Sequence, residues 1–165
     1  MSGFPVYVAA PYSLAPTVRA IHEELARVGC HPTSQWARLA DGTLEQLDRC
    51  SPAELESAIE LNDLCIDKSM AMVVVSPEEP KGGETFAEVG RALALRLPVL
   101  WTGSRRILSS YRKGVFRVDL SEALRALAYA AAGSSDLTGY RVAKTRLFGW
   151  FADWPIAERG IAVAR

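Results

Sequence analysis

Two glutamates spaced four residues apart, Glu84 and Glu88, follow a pair of glycines, Gly82 and Gly83, shortly after an apolar run. Residues at this spacing share one face of a helix, so both carboxylates would lie near the positively polarised N-terminus of that helix. That position favours ionisation, and an ionised carboxylate can act as a nucleophile. The glycines let a ligand approach the backbone closely, although their spacing fits neither a phosphate P-loop nor a dinucleotide fingerprint.

A third acid, Asp63, lies in the helical segment that precedes the apolar run MAMVVVS. That helix would run antiparallel to the strand after it, which brings Asp63 toward the edge of the sheet where the strand ends. We therefore expect Asp63, Glu84 and Glu88 to converge. Their positions alone also fit a simpler interpretation, in which each is a solvated residue or a complement to a helix dipole.

Aromatic and basic side chains are further candidates for binding a ligand. Tyr12 and Trp36 either pack at the rim of the core or stack on a planar ligand. A basic cluster near the middle of the chain is either a solvated loop or a site for one phosphate. The cluster and the hydroxyl residues inside it are Arg105, Arg106, Ser109, Ser110, Arg112 and Lys113.

The composition favours one reduced domain that needs no metal or other cofactor. The chain has 165 residues, 49% of them hydrophobic, which suits a single hydrophobic core. Lys+Arg and Asp+Glu each number 19, so no overall field attracts a nucleic-acid polymer or an anionic membrane. The three cysteines form no CxxC pair, and no apolar run approaches the roughly 20 residues of a membrane span. We therefore expect a cytoplasmic protein.

Short apolar runs alternate with helical periodicity along the chain. The segments PVYVAA, HPTSQW, MAMVVVS, LPVLWT and GVFRVD are typical of strands, and helices are predicted between and after them. Pro16 and Gly29 would bound the first helix, and Ser51 would open another with a capping box. This alternation predicts an α/β domain, most simply a flavodoxin-like parallel sheet of five strands in the order 2-1-3-4-5, with a Rossmann order as the alternative.

The domain is predicted to cover residues 1–132, and residues 133–165 form an apolar extension that packs on the domain or on a neighbouring subunit. In a sheet of this order, ligands bind beyond the carboxyl ends of the strands where the order reverses, between the first and third strands. The loops AAPYS and SPEEPKGGE meet there, so the glutamates fall at the predicted crevice.

Taken in order, YVAAPYS, TSQW, LNDL and MVVVSPEEPKGGETFAEVGRALALRLPV resemble segments of the nucleoside 2-deoxyribosyltransferase-like family. The resemblance spans about residues 5–130, and its most specific part is the glycine-containing loop followed by Glu-Val-Gly-Arg-Ala and a strand. It implies a flavodoxin-like fold, cleavage of the N-glycosidic bond of a nucleoside or nucleotide, and assembly into a homodimer or a higher homo-oligomer.

The resemblance also implies roles for individual residues. Glu88 matches the family's nucleophile, which forms a covalent glycosyl ester as in retaining glycosidases. Asp63 matches an acid suited to orienting or protonating the leaving base, and Gln35 matches a glutamine that contacts the base. Tyr7 and Tyr12 match positions that hold the sugar. Our candidate substrate-binding residues are Tyr7, Tyr12, Gln35, Trp36, Gly82, Gly83 and Glu84.

Three functions remain open on the sequence. A transferase would pass the sugar from Glu88 to a second base, whereas a hydrolase would pass it to water. If Arg105, Ser109, Ser110 and Arg112 hold a 5′-phosphate, a nucleoside 5′-monophosphate hydrolase is favoured. A non-catalytic nucleotide-binding or sensing module is the third possibility, because Gly82 replaces an acid that many members of the family carry six residues before the nucleophile.

Overall fold

The computed structural model describes residues 3–40, 44–77, 84–103, 112–132 and 137–151. Its strands are β1 (Phe4–Ala9), β2 (Cys30–Pro32), β3 (Ala71–Ser76), β4 (Val99–Gly103) and β5 (Val115–Arg117). Its α-helices are α1 (Ala15–Arg27), α2 (Trp36–Leu39), α3 (Leu44–Arg49), α4 (Pro52–Asp67), α5 (Glu84–Ala94), α6 (Leu120–Ala131) and α7 (Leu137–Trp150). A short 3-10 helix, Tyr12–Leu14, leads into α1.

The five strands form one parallel sheet in the order β2-β1-β3-β4-β5. The predicted flavodoxin-like α/β architecture and its strand order are therefore confirmed, and the Rossmann order does not apply. The inner strands β1 and β3 are apolar almost throughout, because helices cover both faces of a parallel sheet of this kind.

Successive side chains of β1 point to opposite faces of the sheet and enter two separate cores. Val6 and Val8 join a core that also contains buried residues of α1, α6 and α7. Tyr7 and Ala9 join the other core, which contains buried residues of α4 and α5. The alternation therefore turns Tyr7 toward the helix that carries Glu88.

The predicted helix boundaries at Ser51 and Gly29 agree with the structure. The Ser51 side chain accepts a hydrogen bond from the backbone N–H of Glu54, and the Glu54 carboxylate accepts one from the backbone N–H of Ser51. This reciprocal pair is the capping box expected from the sequence. Helix α1 ends just before Gly29, whose φ of 82° is a left-handed conformation that glycine adopts without strain.

The second strand is shorter than the segment His31–Trp36 predicted from the sequence. Strand β2 ends at Pro32, and Trp36 instead begins α2. Beyond Pro32 two side chains bind the backbone of β1: the Ser34 hydroxyl accepts a hydrogen bond of 3.1 Å from the Val8 N–H, and the Trp36 indole donates one of 3.2 Å to the Val8 carbonyl. These two side chains bond the Val8 N–H and carbonyl groups, which the backbone of a longer β2 would have bonded. Hydrogen bonding to β1 therefore continues past the end of β2.

Helix α4 extends beyond the core on which its C-terminal end packs. Leu55, Ile59, Asn62 and Ile66 are spaced to share one face of this helix. Ile66 is fully buried, whereas Leu55 is 37% exposed and Ile59 is 49% exposed. The face that is buried at the end of the helix is thus uncovered nearer its start.

Helix α7, in the predicted C-terminal extension, packs on α6. Ala143, Leu147 and Phe151 are buried in the first core, and the ring of Phe151 stacks on Phe116 with a centroid distance of 4.6 Å. The described part of the extension therefore belongs to the packed body of the domain. Among the described residues, no helix is long and apolar enough to cross a membrane.

Candidate active site

Glu88 and Tyr7 form the centre of the candidate site. Tyr7 lies on the central strand β1 and its side chain is fully buried. Glu88 lies on the buried face of α5 beside Val89 and Ala92, and only 7% of the residue is exposed. A charged residue is seldom buried without a partner, so the immediate question is what Glu88 contacts.

The partner of Glu88 is the phenol of Tyr7, which donates a hydrogen bond of 2.5 Å to Oε1 of Glu88. Within the part of the chain that the structure describes, the second oxygen, Oε2, accepts no hydrogen bond. The phenol therefore fixes the orientation of the carboxyl group and leaves one of its oxygens unused. A fixed carboxyl group with an unused oxygen is suited to nucleophilic attack or to proton transfer.

Burial raises the pKa of Glu88 to about 8. The hydrogen bond from Tyr7 lowers this pKa, while the nearby charges of Glu84 and Asp63 raise it further. The carboxyl group is therefore mostly protonated at neutral pH in the protein without a ligand. We had expected an ionised group stabilised by the helix dipole, but burial outweighs that effect because α5 turns Glu88 inward.

Burial and the negative charge of Glu88 raise the pKa of Tyr7 well above its ordinary value. Tyr7 therefore keeps its proton throughout the physiological range and acts as a hydrogen-bond donor. A phenol that stays protonated supports the ionised form of Glu88 whenever that form is generated.

Asp63 lies close enough to Glu88 to affect its pKa, but its direct partner is Arg91 on α5. The Arg91 guanidinium binds Oδ2 of Asp63 at 3.1 Å and both carboxylate oxygens of Asp67, at 3.0 and 2.8 Å. All three side chains are partly exposed. This ion-pair group joins α4 to α5 and holds Asp63 in one orientation near the buried pair.

Tyr12 and Trp36 form an aromatic pair at the carboxyl end of β1. Their rings are stacked, with centroids 6.3 Å apart and an interplanar angle of 29°. The Trp36 indole is anchored by its hydrogen bond to Val8, and the Tyr12 hydroxyl donates to the side-chain oxygen of Gln46 on α3. Both aromatic rings thus have fixed positions beside the carboxyl end of β1.

The remaining predicted site residues are less closely connected. Glu84 is exposed at the start of α5, and its charge raises the pKa of Glu88. Gln35 is exposed at the start of α2, where its side chain makes no capping hydrogen bond. Arg112 is exposed. Six predicted residues lie outside the described part of the chain: Gly82, Gly83, Arg105, Arg106, Ser109 and Ser110.

Three residues that contribute to the site were missed from the sequence. Arg91 follows Glu88 by three residues, and Asp67 follows Asp63 by four, so each pair lies along one helix face; that spacing could have suggested an ion pair between the two helices. Gln46 gave no comparable signal, because its contact with Tyr12 depends on how α3 packs.

Comparison with known proteins assigns no family to the chain. No protein-family model matches it. No curated protein matches it closely enough to count as a relative. The geometry around Glu88 and the ordered motifs in the sequence are therefore the features that point to a function.

Proposed function

We propose that the protein cleaves the N-glycosidic bond of a nucleoside or nucleotide, with Glu88 as the nucleophile. The observation that carries this proposal is the buried pair formed by Tyr7 and Glu88, in which a phenol orients a carboxyl group that has one unused oxygen. A strongly shifted pKa in a carboxyl group near the ligand-binding edge of an α/β sheet supports a catalytic role. The resemblance to the nucleoside 2-deoxyribosyltransferase-like family agrees with it.

The proposed reaction has two steps. First, the ionised Glu88 carboxylate attacks C1′ of the sugar while the C1′–N bond breaks, and the electron pair of that bond leaves with the base, which takes up a proton. The product is an ester between Glu88 and the sugar. Second, another base or a water molecule attacks C1′, loses one proton, and releases the carboxylate as the ester bond breaks.

Tyr7 supports both steps, because its hydrogen bond favours the ionised carboxylate that attacks first and leaves last. Asp63 would orient the leaving base, since Arg91 holds its carboxylate in place. Tyr12 and Trp36 would supply a stacking surface for the base or sugar. Gln35, Gly82, Gly83 and Glu84 complete the proposed substrate site.

We favour transfer of the (deoxy)ribosyl group to a second base. Hydrolysis of a nucleoside 5′-monophosphate is the alternative, and it would use Arg105, Ser109, Ser110 and Arg112 for the phosphate. The proposed substrate is a small molecule rather than a nucleic-acid polymer or a membrane, and the proposed setting is the cytoplasm. The free state of all three cysteines is consistent with a reducing compartment.

The direct test incubates the protein with a panel of nucleosides and 5′-monophosphates and follows the free base by chromatography. We expect release from at least one substrate, complete loss in Glu88→Gln, and near-normal release in Glu56→Gln, which alters an exposed carboxyl group on α4 outside the proposed site. A sugar-sized mass increase on a peptide containing Glu88 would identify the ester. Addition of a second base then separates transfer from hydrolysis.

A non-catalytic sensing module is the competing proposal, and one observation favours it: the Glu88 carboxyl group is mostly protonated at neutral pH. A sensor would bind a nucleoside or nucleotide with saturation, would release no base from any substrate at any pH, and would bind equally well in Glu88→Gln. Base release that rises with pH would exclude it.

We also propose that the protein forms a homodimer or a higher homo-oligomer through α4. The support is the uncovered apolar face at Leu55 and Ile59, which a second copy of the same helix would bury. Light scattering of the wild type should give a mass above that of one chain. Ile59→Glu should lower the mass, whereas Glu56→Gln, also on α4, should not. A monomeric wild type at high concentration would contradict this proposal.

A further inference from the structure

Arg91 lies on α5 three residues after Glu88, and its guanidinium binds two acids of α4. Its Nε and Nη2 atoms donate hydrogen bonds of 3.0 and 2.8 Å to the two carboxylate oxygens of Asp67, and Nη1 donates one of 3.1 Å to Oδ2 of Asp63. A two-pronged contact such as that with Asp67 fixes the orientation of a guanidinium as well as its position. Asp67 therefore holds Arg91 in place while Arg91 holds Asp63.

Asp63 and Asp67 are four residues apart on α4, so their like charges repel each other on one helix face. Arg91 offsets that repulsion, because a single guanidinium binds both carboxylates. Without Arg91 the two side chains should turn apart toward water, since 43% of the Asp63 side chain and 42% of the Asp67 side chain are exposed. The position of the Asp63 carboxylate therefore depends on Arg91.

Most of the environment of Glu88 opposes its ionisation. Burial raises the pKa of Glu88 most, and the charges of Glu84 on its own helix and of Asp63 on α4 raise it further. The hydrogen bond from Tyr7 on β1 lowers this pKa. The thiol of Cys65, also from α4, is buried in the same core as Tyr7. The carboxylate that the proposed reaction needs is thus harder to form with each uncompensated acid nearby.

Arg91 can reconcile two demands on Asp63. Asp63 must lie near Glu88 if it orients the leaving base, but its charge opposes the ionisation of Glu88. A guanidinium bonded to Asp63 offsets much of the field of that carboxylate at Glu88. The described hydrogen bonds of the Arg91 side chain all go to α4, so Arg91 acts on Glu88 through Asp63.

From this arrangement we propose that Arg91 is a positioning residue for the nucleophile. By binding Asp63, it keeps that acid in place for the leaving base and offsets the charge that would otherwise favour the neutral form of Glu88. This role rests on the proposed function, in which Glu88 attacks as a carboxylate. Loss of Arg91 and loss of Asp63 should then shift the ionisation of Glu88 in opposite directions.

The first measurement follows the side-chain carboxyl carbon of Glu88 by NMR during a pH titration of the full chain without ligand, with Glu88→Gln to assign the signal. The midpoint should rise by about 0.3–0.7 pH unit in Arg91→Met and fall by a similar amount in Asp63→Asn, the size expected for partly exposed charges. In the double variant the midpoint should stay close to that of Asp63→Asn, because Arg91 then has no charge beside Glu88 to offset.

Two further variants separate this role from a purely structural one. Arg91→Lys keeps the charge and should restore most of the wild-type midpoint, although lysine cannot make the two-pronged contact with Asp67. Arg125→Met removes an ion-paired arginine from α6 and should leave the midpoint unchanged. Arg91→Met should remain folded, because the ion pairs that it loses are partly exposed.

The second measurement is the pH profile of base release. In Arg91→Met the midpoint of kcat/KM should rise with that of the NMR titration. At pH 7 the smaller fraction of carboxylate alone should lower kcat/KM by about twofold to fivefold. Arg91→Lys should recover most of this loss, and Arg125→Met should match the wild type.

Two results would overturn the proposal. One is a Glu88 midpoint that is unchanged or lowered in Arg91→Met. The other is an equal rise on loss of Arg91 in the Asp63→Asn background, which would mean that Arg91 does not act through Asp63. Failure of the proposed function looks different: the wild type would release no base from any substrate. If the NMR midpoints still shift in opposite directions, the electrostatic role of Arg91 is supported while the glycosidic reaction is not.

Discussion

The phenol of Tyr7 and the carboxyl group of Glu88 are 81 positions apart in the sequence and joined by a 2.5 Å hydrogen bond in the fold. Strand β1 supplies the donor and helix α5 supplies the acceptor. Burial raises the pKa of Glu88 and the hydrogen bond from the phenol lowers it, so the two effects act in opposite directions on one carboxyl group. This balance determines how the proposed reaction should depend on pH.

Base release should increase as the pH rises through the pKa of Glu88. Only the ionised carboxylate attacks, and its pKa in the protein is about 8. We therefore expect kcat/KM to rise about tenfold per pH unit below that value and to level off above it, since kcat/KM reports the free enzyme. Initial rates between pH 5 and 9 would check this. A flat profile would mean that ionisation of Glu88 does not limit the reaction.

Tyr7→Phe should shift that pH profile to higher pH. The substitution removes the hydrogen bond that lowers the pKa of Glu88, while burial of the carboxyl group remains. At neutral pH we expect kcat/KM to fall by roughly tenfold or more, as for other hydrogen bonds to charged groups. Tyr129→Phe is the matched control, because Tyr129 is 51% exposed. An unshifted profile in Tyr7→Phe would separate Tyr7 from the chemistry.

Glu88→Gln should make the stability of the fold less dependent on pH. In the folded protein Glu88 holds its proton up to a pH of about 8, whereas in the unfolded chain it loses the proton near its ordinary value. The folded state therefore binds more protons between these values, and the free energy of unfolding falls as pH rises, by at most about 1.4 kcal/mol per unit. The free energy of unfolding of Glu88→Gln, relative to that of the wild type, should increase from pH 5 to 8 and then stay constant.

Denaturant unfolding at several pH values would measure that difference. Glu84→Gln is the control, because Glu84 is exposed and its substitution should leave most of the pH dependence in place. A constant difference between Glu88→Gln and the wild type would contradict the raised pKa.

Arg91→Met should cost little stability, and the loss should depend on salt. The guanidinium and its two carboxylate partners are about 40% exposed, so we expect a loss of at most about 1 kcal/mol in low salt. The loss should shrink near 1 M salt, where charges are screened within about 3 Å. Arg91→Lys keeps the charge but loses the two-pronged contact with Asp67, so its stability should be intermediate. Thermal unfolding at two salt concentrations would check both variants.

Gly103→Ala should destabilise the fold, whereas Gly90→Ala should not. Gly103 has φ of 93°, and a Cβ atom there would lie 1.9 Å from the carbonyl oxygen of Ser76. We expect a loss of at least about 2 kcal/mol from backbone strain and displacement. A Cβ atom on Gly90, in the middle of α5, meets nothing within 4 Å, and alanine there should add about 0.5–1 kcal/mol. Equal stability of the two variants would contradict this prediction.

The sequence predicted the parts of the fold that local rules control. The apolar runs of β1 and β3 are long enough to indicate buried strands, and Ser51 carries its own helix-start pattern. The end of β2 could not be predicted in this way. Pairing of the Ser34 and Trp36 side chains with Val8 is a long-range contact, and residues 31–36 alone do not reveal it.

The candidate site also combines features that the local sequence predicts with features that depend on long-range packing. The spacing of Glu84 and Glu88 predicted a shared helix region, but the buried state of Glu88 depends on which way α5 faces the sheet. Its pKa follows from that orientation and from Tyr7, which is supplied by a distant strand. Residue spacing made Glu88 a candidate, and only the packing could reveal its protonation.

The side chains of Ser34 and Trp36, rather than a longer strand, hydrogen-bond to the backbone of Val8. The sequence at the rim of the crevice can therefore change without a change in the sheet beneath it. Exchange of the partly exposed Trp36 during evolution would change the surface offered to a ligand while the buried Ser34 keeps its bond to Val8 and β1 keeps its register with β3. The scaffold thus gives selection an adjustable position at the mouth of a fixed platform, a favourable starting point for new ligand preferences.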